Sequence, residues 1–193
     1  MIQSIPRAGR PGVAGRMLAA LALPAACTLA AACAHGGAGG PGPKQVASGT
    51  FRNAAGDRVG LAALSDSGGT LRLDVSASQL GPGRHGLHFH AEGTCTPPDF
   101  ASAGPHFNPE RRKHGRLNPE GPHLGDLPNL VADADGSADT SFVVSPDLVE
   151  PGSHSLLEPG GTAIVIHAQP DDERTDPSGD SGDRVACAVI EPA

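Results

Sequence analysis

The chain has 193 residues and a formal charge of −7, set by 14 Lys and Arg against 21 Asp and Glu. That acidic excess argues against a nucleic-acid partner, because phosphate backbones are held by basic patches. With 5 Phe, no Tyr and no Trp, the composition also excludes a core built mainly on aromatic side chains.

Residues 1–32 carry Arg7, Arg10 and Arg16, no acidic residue, and then the apolar run MLAALALPAACTLAAAC, which ends in small residues. This is the layout of a secretory signal; Pro24 interrupts the run and no stop-transfer charge cluster follows, so a membrane span is the poorer reading. The alanines before Cys33 resemble a bacterial lipobox, which makes Cys33 the lipidated first residue of the mature chain and gives the protein a membrane attachment. Cys27, with Pro24 three residues before it, is the weaker candidate, and plain cleavage with release into the periplasm or medium is the alternative. Residues 33–44 then read as a Gly-rich tether. The expected location is outside the cytoplasm, in the periplasm or at the cell envelope. Removing residues 1–32 takes away three basic residues and no acidic one, so the formal charge falls from −7 to −10.

One domain is expected over 45–193, large enough for a single core. Its periodicity is that of strands. TLRLDVSAS alternates Leu71, Leu73 and Val75 with Arg72 and Asp74, and follows RVGLAAL across the turn SDSGG. NLVADADGSADTSFVV sets Asp135 and Gly136 between two further strand-like runs, and TAIVIHA and RVACAVI are short apolar runs suited to the inside of a sandwich. No convincing helix-period segment appears. Two long polar segments, 91–126 and 168–183, interrupt the strands; loops of that length in a compact domain are usually functional. Cys95 and Cys187 are the pair left once Cys27 and Cys33 are set aside, and in an exported protein an even pair reads as one disulfide rather than two free thiols.

GLHFH places His88 and His90 on one side of a strand with Leu87 and Phe89 on the other. An isolated H-x-H pair is weak evidence for a metal, but the long loop adds His106, His114 and His123 at spacings of eight and nine, then Asp126 three residues on. Three imidazoles and a carboxylate make a tetrahedral set for zinc. His167 ends TAIVIH, where it can meet His88 and His90 across a sheet, and all-imidazole coordination suits copper.

GLHFH, AGPHFNPERRKHG, PHLGDLPNL, IVIHA and GDRVACAVI occur in that order. Together they make residues 45–190 resemble the bacterial copper,zinc superoxide dismutase family. The resemblance implies an all-β fold, an eight-stranded Greek-key β-sandwich or flattened barrel with two long functional loops; this enzyme is itself a standard example of sandwich architecture. It implies one copper ion held by His88, His90, His106 and His167, and one zinc ion held by His106, His114, His123 and Asp126, with His106 shared between them. It makes Cys95–Cys187 the intrasubunit disulfide, Asp171 the carboxylate linking a histidine of each site, and Arg184 the cation that receives superoxide. With His106 as proton carrier, the implied activity is dismutation of superoxide to dioxygen and hydrogen peroxide. A copper-binding or copper-sequestering envelope lipoprotein on the same fold is the alternative, and a monomer and a homodimer both stay open. The chain departs from the family pattern where Ala188 follows the last cysteine and where the short loop before Arg184 lacks guiding lysines. Arg111, Arg112, Lys113 and Arg116 read as a solvated loop face or as anion-steering charges, and His85 as a structural hydrogen-bonding residue.

Overall fold

The computed structural model describes residues 42–193. The expected signal segment, Cys33 and the expected tether up to residue 41 lie outside the described residues. Nine strands follow in order: β1 (Lys44–Asn53), β2 (Arg58–Ser67), β3 (Thr70–Ala77), β4 (Gly83–His85), β5 (Leu87–His90), β6 (Leu130–Ala132), β7 (Ala138–Val144), β8 (Thr162–His167) and β9 (Arg184–Pro192). Two 3₁₀ turns, Ala101–Ala103 and Pro146–Leu148, are the helical elements among the described residues.

The β2–β3 hairpin follows from its sequence. Gly68 and Gly69 form the two-residue connection with φ of 63° and 88°, a pair of left-handed angles that side chains resist. Leu71, Leu73, Val75 and Ala77 point into the core. On β2 the inward residues are Val59, Ala62 and Leu64, because an irregularity in the β1 pairing skips Val59 and shifts the alternation, leaving Leu61 partly exposed.

All ladders are antiparallel, and the larger sheet has the order β5-β8-β9-β1-β2-β3-β7, with β4 and β6 paired separately. The nine segments correspond to eight strands, since β4 and β5 are one strand broken at Gly86. There the Gly86 N–H donates to Gln169 O and its carbonyl accepts from His167 N–H, both at 2.8 Å, so β5 stays with β8 while β4 turns to β6. A tight turn at 133–137, closed by Asp133 N–H on Ser137 O, then carries β6 into β7 at the far edge of the larger sheet. The sheet thus curls around a core that includes Phe51, Leu64, Leu73, Phe89, Ile164 and Ile166.

Strand β8 is buried along its whole length. Ile164 and Ile166 face the main core, while Ala163 and Val165 join Phe100, Ala103 and Cys187 in a second small cluster. The loop of residues 91–129 therefore lies over the outer face of β5 and β8, and that covering makes the functional site.

Candidate metal centre

On β5, Leu87 and Phe89 enter the main core, so His88 and His90 must emerge beneath the covering loop. The loop returns along β5 with strand-like pairing: Phe107 N–H donates to Phe89 O at 2.8 Å and Phe89 N–H to Gly125 O at 2.9 Å. Isolated bridges set His90 opposite His106 and His88 opposite Asp126. Four imidazoles, from His88, His90, His106 and His167, each offer a ring nitrogen within 4.8 Å of the others.

Hydrogen bonds on their far sides fix three of these rings. His88 Nε2–H donates to Asp171 Oδ2 at 2.9 Å, His90 Nδ1–H to Gly104 O at 2.9 Å, and His167 Nδ1–H to Gly182 O at 3.1 Å. A neutral imidazole with its proton so placed leaves a lone pair on the other nitrogen. Those nitrogens, His88 Nδ1, His90 Nε2 and His167 Nε2, together with His106 Nε2, are the buried side-chain atoms without a hydrogen-bond partner among the described residues. Buried polar atoms are nearly always paired, and four such orphans on one cluster of imidazoles fit a cation held between them.

A second cluster centres on Asp126 Oδ1. His106 Nδ1 lies 3.0 Å from it, His114 Nδ1 3.1 Å and His123 Nδ1 3.3 Å, and His123 Nδ1 is 3.4 Å from His106 Nδ1. Four ligands about 2.0–2.1 Å from one zinc ion stand about 3.3 Å from one another at tetrahedral corners, which these separations match. A 4.8 Å grouping instead joins His88 with His106, His114 and Asp126. His88 commits Nε2 to Asp171, however, whereas His123 lies directly against Asp126 Oδ1, so His123 is the better fourth member. The remaining oxygen, Asp126 Oδ2, accepts from Gly115 and His123 N–H, each at 2.9 Å.

His106 belongs to both clusters. Asp171 joins them a second time, since its Oδ1 accepts from His114 Nε2–H at 3.0 Å while its Oδ2 holds His88.

Burial, helped by neighbouring histidines, pushes His90 down to about 2 and His167 down to about 3. Burial likewise takes His106 to about 4, against the pull of Asp126. These rings are neutral at pH 7, the form that binds metals. His114 goes the other way: burial opposes its charge, but bonds to Asp126 and Asp171 prevail and raise it to about 9. Asp126 and Asp171 resist desolvation through the same histidine bonds and sit well below the usual carboxylate range.

Arg184 opens β9, and its guanidinium donates to Phe100 O at 2.6 Å and to Gly104 O at 2.7 Å. Gly104 O therefore serves Arg184 and His90 together. The Cys95–Cys187 disulfide, with its Cα atoms 5.7 Å apart, anchors this part of the loop to β9. It closes a sequence separation of 92 residues, for which about 4 kcal/mol of stabilisation is the expected order.

His85 lies apart from both clusters, its ring nitrogens each 2.7 Å from a carbonyl, of Gly81 and of His167, as a structural histidine should. Most of the basic cluster is ion-paired: Arg112 with Glu110 at 2.7 Å, Lys113 with Asp176 at 3.2 Å and Arg116 with Glu173 at 3.7 Å. Sequence reading did not single out Asn129 or the carbonyls of Phe100, Gly104 and Gly182. Backbone acceptors leave no mark in the residue type, and Asn129 stands among ordinary loop residues.

A curled antiparallel sheet carries two histidine clusters joined at His106, each with donors that could hold a metal ion. Residues 58–190 match the family described as copper/zinc superoxide dismutase. The chain is 44% identical over 141 residues to superoxide dismutase [Cu-Zn] 1 of Aquifex aeolicus, covering 72% of this chain and 83% of that one. It is 42% identical over 139 residues to the superoxide dismutase [Cu-Zn] of Caulobacter vibrioides, covering 70% and 79%. A crystal structure of a superoxide dismutase-like protein of Bacillus subtilis, in a double mutant that puts histidine in place of a tyrosine and a proline, superposes with a TM-score of 0.68 at 43% identity, covering 74% of this chain and 95% of that one. The chain belongs to the copper/zinc superoxide dismutase family.

Proposed function

We propose that the chain dismutates superoxide to dioxygen and hydrogen peroxide, with copper held by His88, His90, His106 and His167 and zinc by His106, His114, His123 and Asp126. The observation that carries this reading is the set of four buried imidazole nitrogens without protein partners. All-nitrogen donors suit copper, and three imidazoles with a carboxylate suit zinc. Copper would supply the one-electron chemistry, taking an electron from one superoxide and giving it to a second, while zinc has none and holds the loop.

The side chains do the rest. His106 presents Nε2 to the first cluster and Nδ1 to the second, so only a ring stripped of both protons serves the two seats at once. In the half-reaction that releases dioxygen, His106 Nε2 takes up a proton. In the half-reaction that forms hydrogen peroxide, it gives that proton to the departing oxygen species, with a second proton from water. Arg184, tied to Gly104 O beside His90, attracts and orients the anion.

A copper-sequestering protein on the same fold is the less favoured reading, since no member of either donor set and no arginine is missing. The superoxide decay rate of the metal-loaded protein decides between them. We expect a second-order rate constant near the diffusional limit, on the order of 10⁸–10⁹ M⁻¹s⁻¹, and a loss of roughly 100-fold or more in His88→Ala. A loaded protein no faster than His88→Ala is a copper binder and not an enzyme.

We also propose export by residues 1–32 and attachment through a lipid on Cys33, supported by the basic, apolar and small-residue order of that segment. Mass spectrometry of the mature N-terminus should find a diacylglyceryl cysteine at Cys33; an unmodified N-terminus elsewhere removes the anchor from the reading.

A further inference from the structure

Between Asp126 and β6 stands Asn129, buried and without a part in the reaction above. Its amide grips both backbone polar groups of a single residue. Asp171 N–H donates to Asn129 Oδ1 at 2.8 Å, and Asn129 Nδ2–H donates to Asp171 O at 2.9 Å. Two bonds from one planar amide fix the orientation of Asp171 as well as its position, which one bond does not.

The partners are 42 residues apart, so the clamp joins the end of the loop that carries His106, His114, His123 and Asp126 to the start of the 168–183 loop. Several further ties between these loops, Lys113 to Asp176, Arg116 to Glu173 and Asn118 to Arg174 O, each have at least one exposed partner open to water and salt. The Asn129 clamp is buried, where competition from water is weakest.

Its load is the Asp171 carboxylate, which holds His88 at 2.9 Å and His114 at 3.0 Å from opposite oxygens. Each histidine depends on that acceptor to keep its proton on Nε2 and its lone pair on Nδ1. A displacement of Asp171 by about 1 Å away from either histidine would carry that contact past hydrogen-bond range. Glu173 N–H bonds Asp171 Oδ1 from within the same loop and moves with it.

We propose that Asn129 is a positioning residue for both metal seats, acting through Asp171 to set the tautomer and orientation of one ligand in each. The inference rests on the reading of Asp171 as the link between a copper and a zinc ligand. A double-mutant cycle on the full chain tests it, with zinc affinity measured by chelator competition and the copper seat by Cu(II) absorption and electron paramagnetic resonance. Asp171→Ala should weaken zinc by roughly 10–100-fold, the usual cost of losing an outer partner, and shift the copper spectrum. Asn129→Ala should weaken zinc by roughly 10-fold and shift the spectrum in the same direction. In the Asp171→Ala background, Asn129→Ala should change zinc affinity by less than about twofold, because its route of action is gone.

An asparagine that only supports the fold would lower the unfolding temperature while leaving affinity and spectrum unchanged, or would add its loss independently in the double variant. Either result overturns the proposal. If Asp171→Ala itself changes neither readout, the linking role of Asp171 fails and takes the proposal with it; a change in Asp171→Ala alone removes only Asn129. Should Asn129→Ala not fold, Asn129→Ser, which keeps one hydrogen-bonding group, takes its place in the cycle.

Discussion

His114 is held between two buried carboxylates, and its preference for a proton has a consequence for the metal-free protein. Its pKa rises from 6.5 in the unfolded chain to about 9 in the fold, so it contributes stability in full below about pH 6.5 and loses it as pH climbs towards 9. His90, His167 and His106 are depressed to about 2, 3 and 4, so the unfolded chain binds their protons first and stability falls as pH drops below 6.5. The metal-free protein should be most stable near pH 6.5. A metal held as proposed at His106, His114, His123 and Asp126 would take the His114 Nδ1 lone pair and forbid the second proton, so the alkaline loss should vanish in the loaded protein. Thermal unfolding across this range, with and without metals, is the measurement; equal alkaline slopes in the two forms would contradict the charge assignment of His114. At this scale the sequence was informative because ligand chemistry resides in residue type. His106, His114, His123 and Asp126, which the fold brings together around one carboxylate oxygen, stand out as candidates by identity and spacing. The carbonyls of Gly104 and Gly182 that orient His90 and His167 are properties of the folded backbone and could not be read beforehand.

The elements differ in the same way. The β2–β3 hairpin and strands β8 and β9 announce themselves through alternation, a Gly-Gly turn and β-branched runs. Strand β1 does not, because its inward positions include Ala47 and Gly49, too small to mark a face, beside Phe51. The break between β4 and β5 is equally silent, although it aims His88. At Gly86 an added Cβ would stand 2.8 Å from Ser181 Cβ and 3.1 Å from His88 Cε1, and Ser181 is fully buried in the second loop. Gly86→Ala should therefore push that loop and the His88 ring apart. We expect a cost of about 1–3 kcal/mol, read as a lower unfolding temperature, together with weaker copper binding. Gly42→Ala, where nothing among the described residues lies within 4 Å of the new carbon, is the control. If Gly86→Ala unfolds and binds copper like that control, the close approach at the strand break is not what constrains the site.

For the whole molecule the question is how an anion reaches a protein of net charge −7. At 0.15 M salt, charges beyond about 8 Å are largely screened, so the field at the mouth of the site is set by its immediate surroundings and not by the total. The basic loop face adds little there, since Arg112, Lys113 and Arg116 each have an acidic partner. The open depression that exposes Arg184 is lined also by Asp99 and Asp183, both at exposed positions and of the wrong sign for superoxide. Two carboxylates beside one guanidinium leave a mouth that attracts anions less than Arg184 alone would. Asp99→Asn and Asp183→Asn should each speed superoxide decay on the order of twofold at low ionic strength, the factor a unit charge about 10 Å away in water supplies. The gain should shrink as salt is added, because screening already silences the carboxylates in the parent protein. Stopped-flow decay rates over a salt series decide the matter. A gain that persists at high salt would mean that the substitutions reshape the mouth, while no gain at low salt would mean that Arg184 alone governs capture.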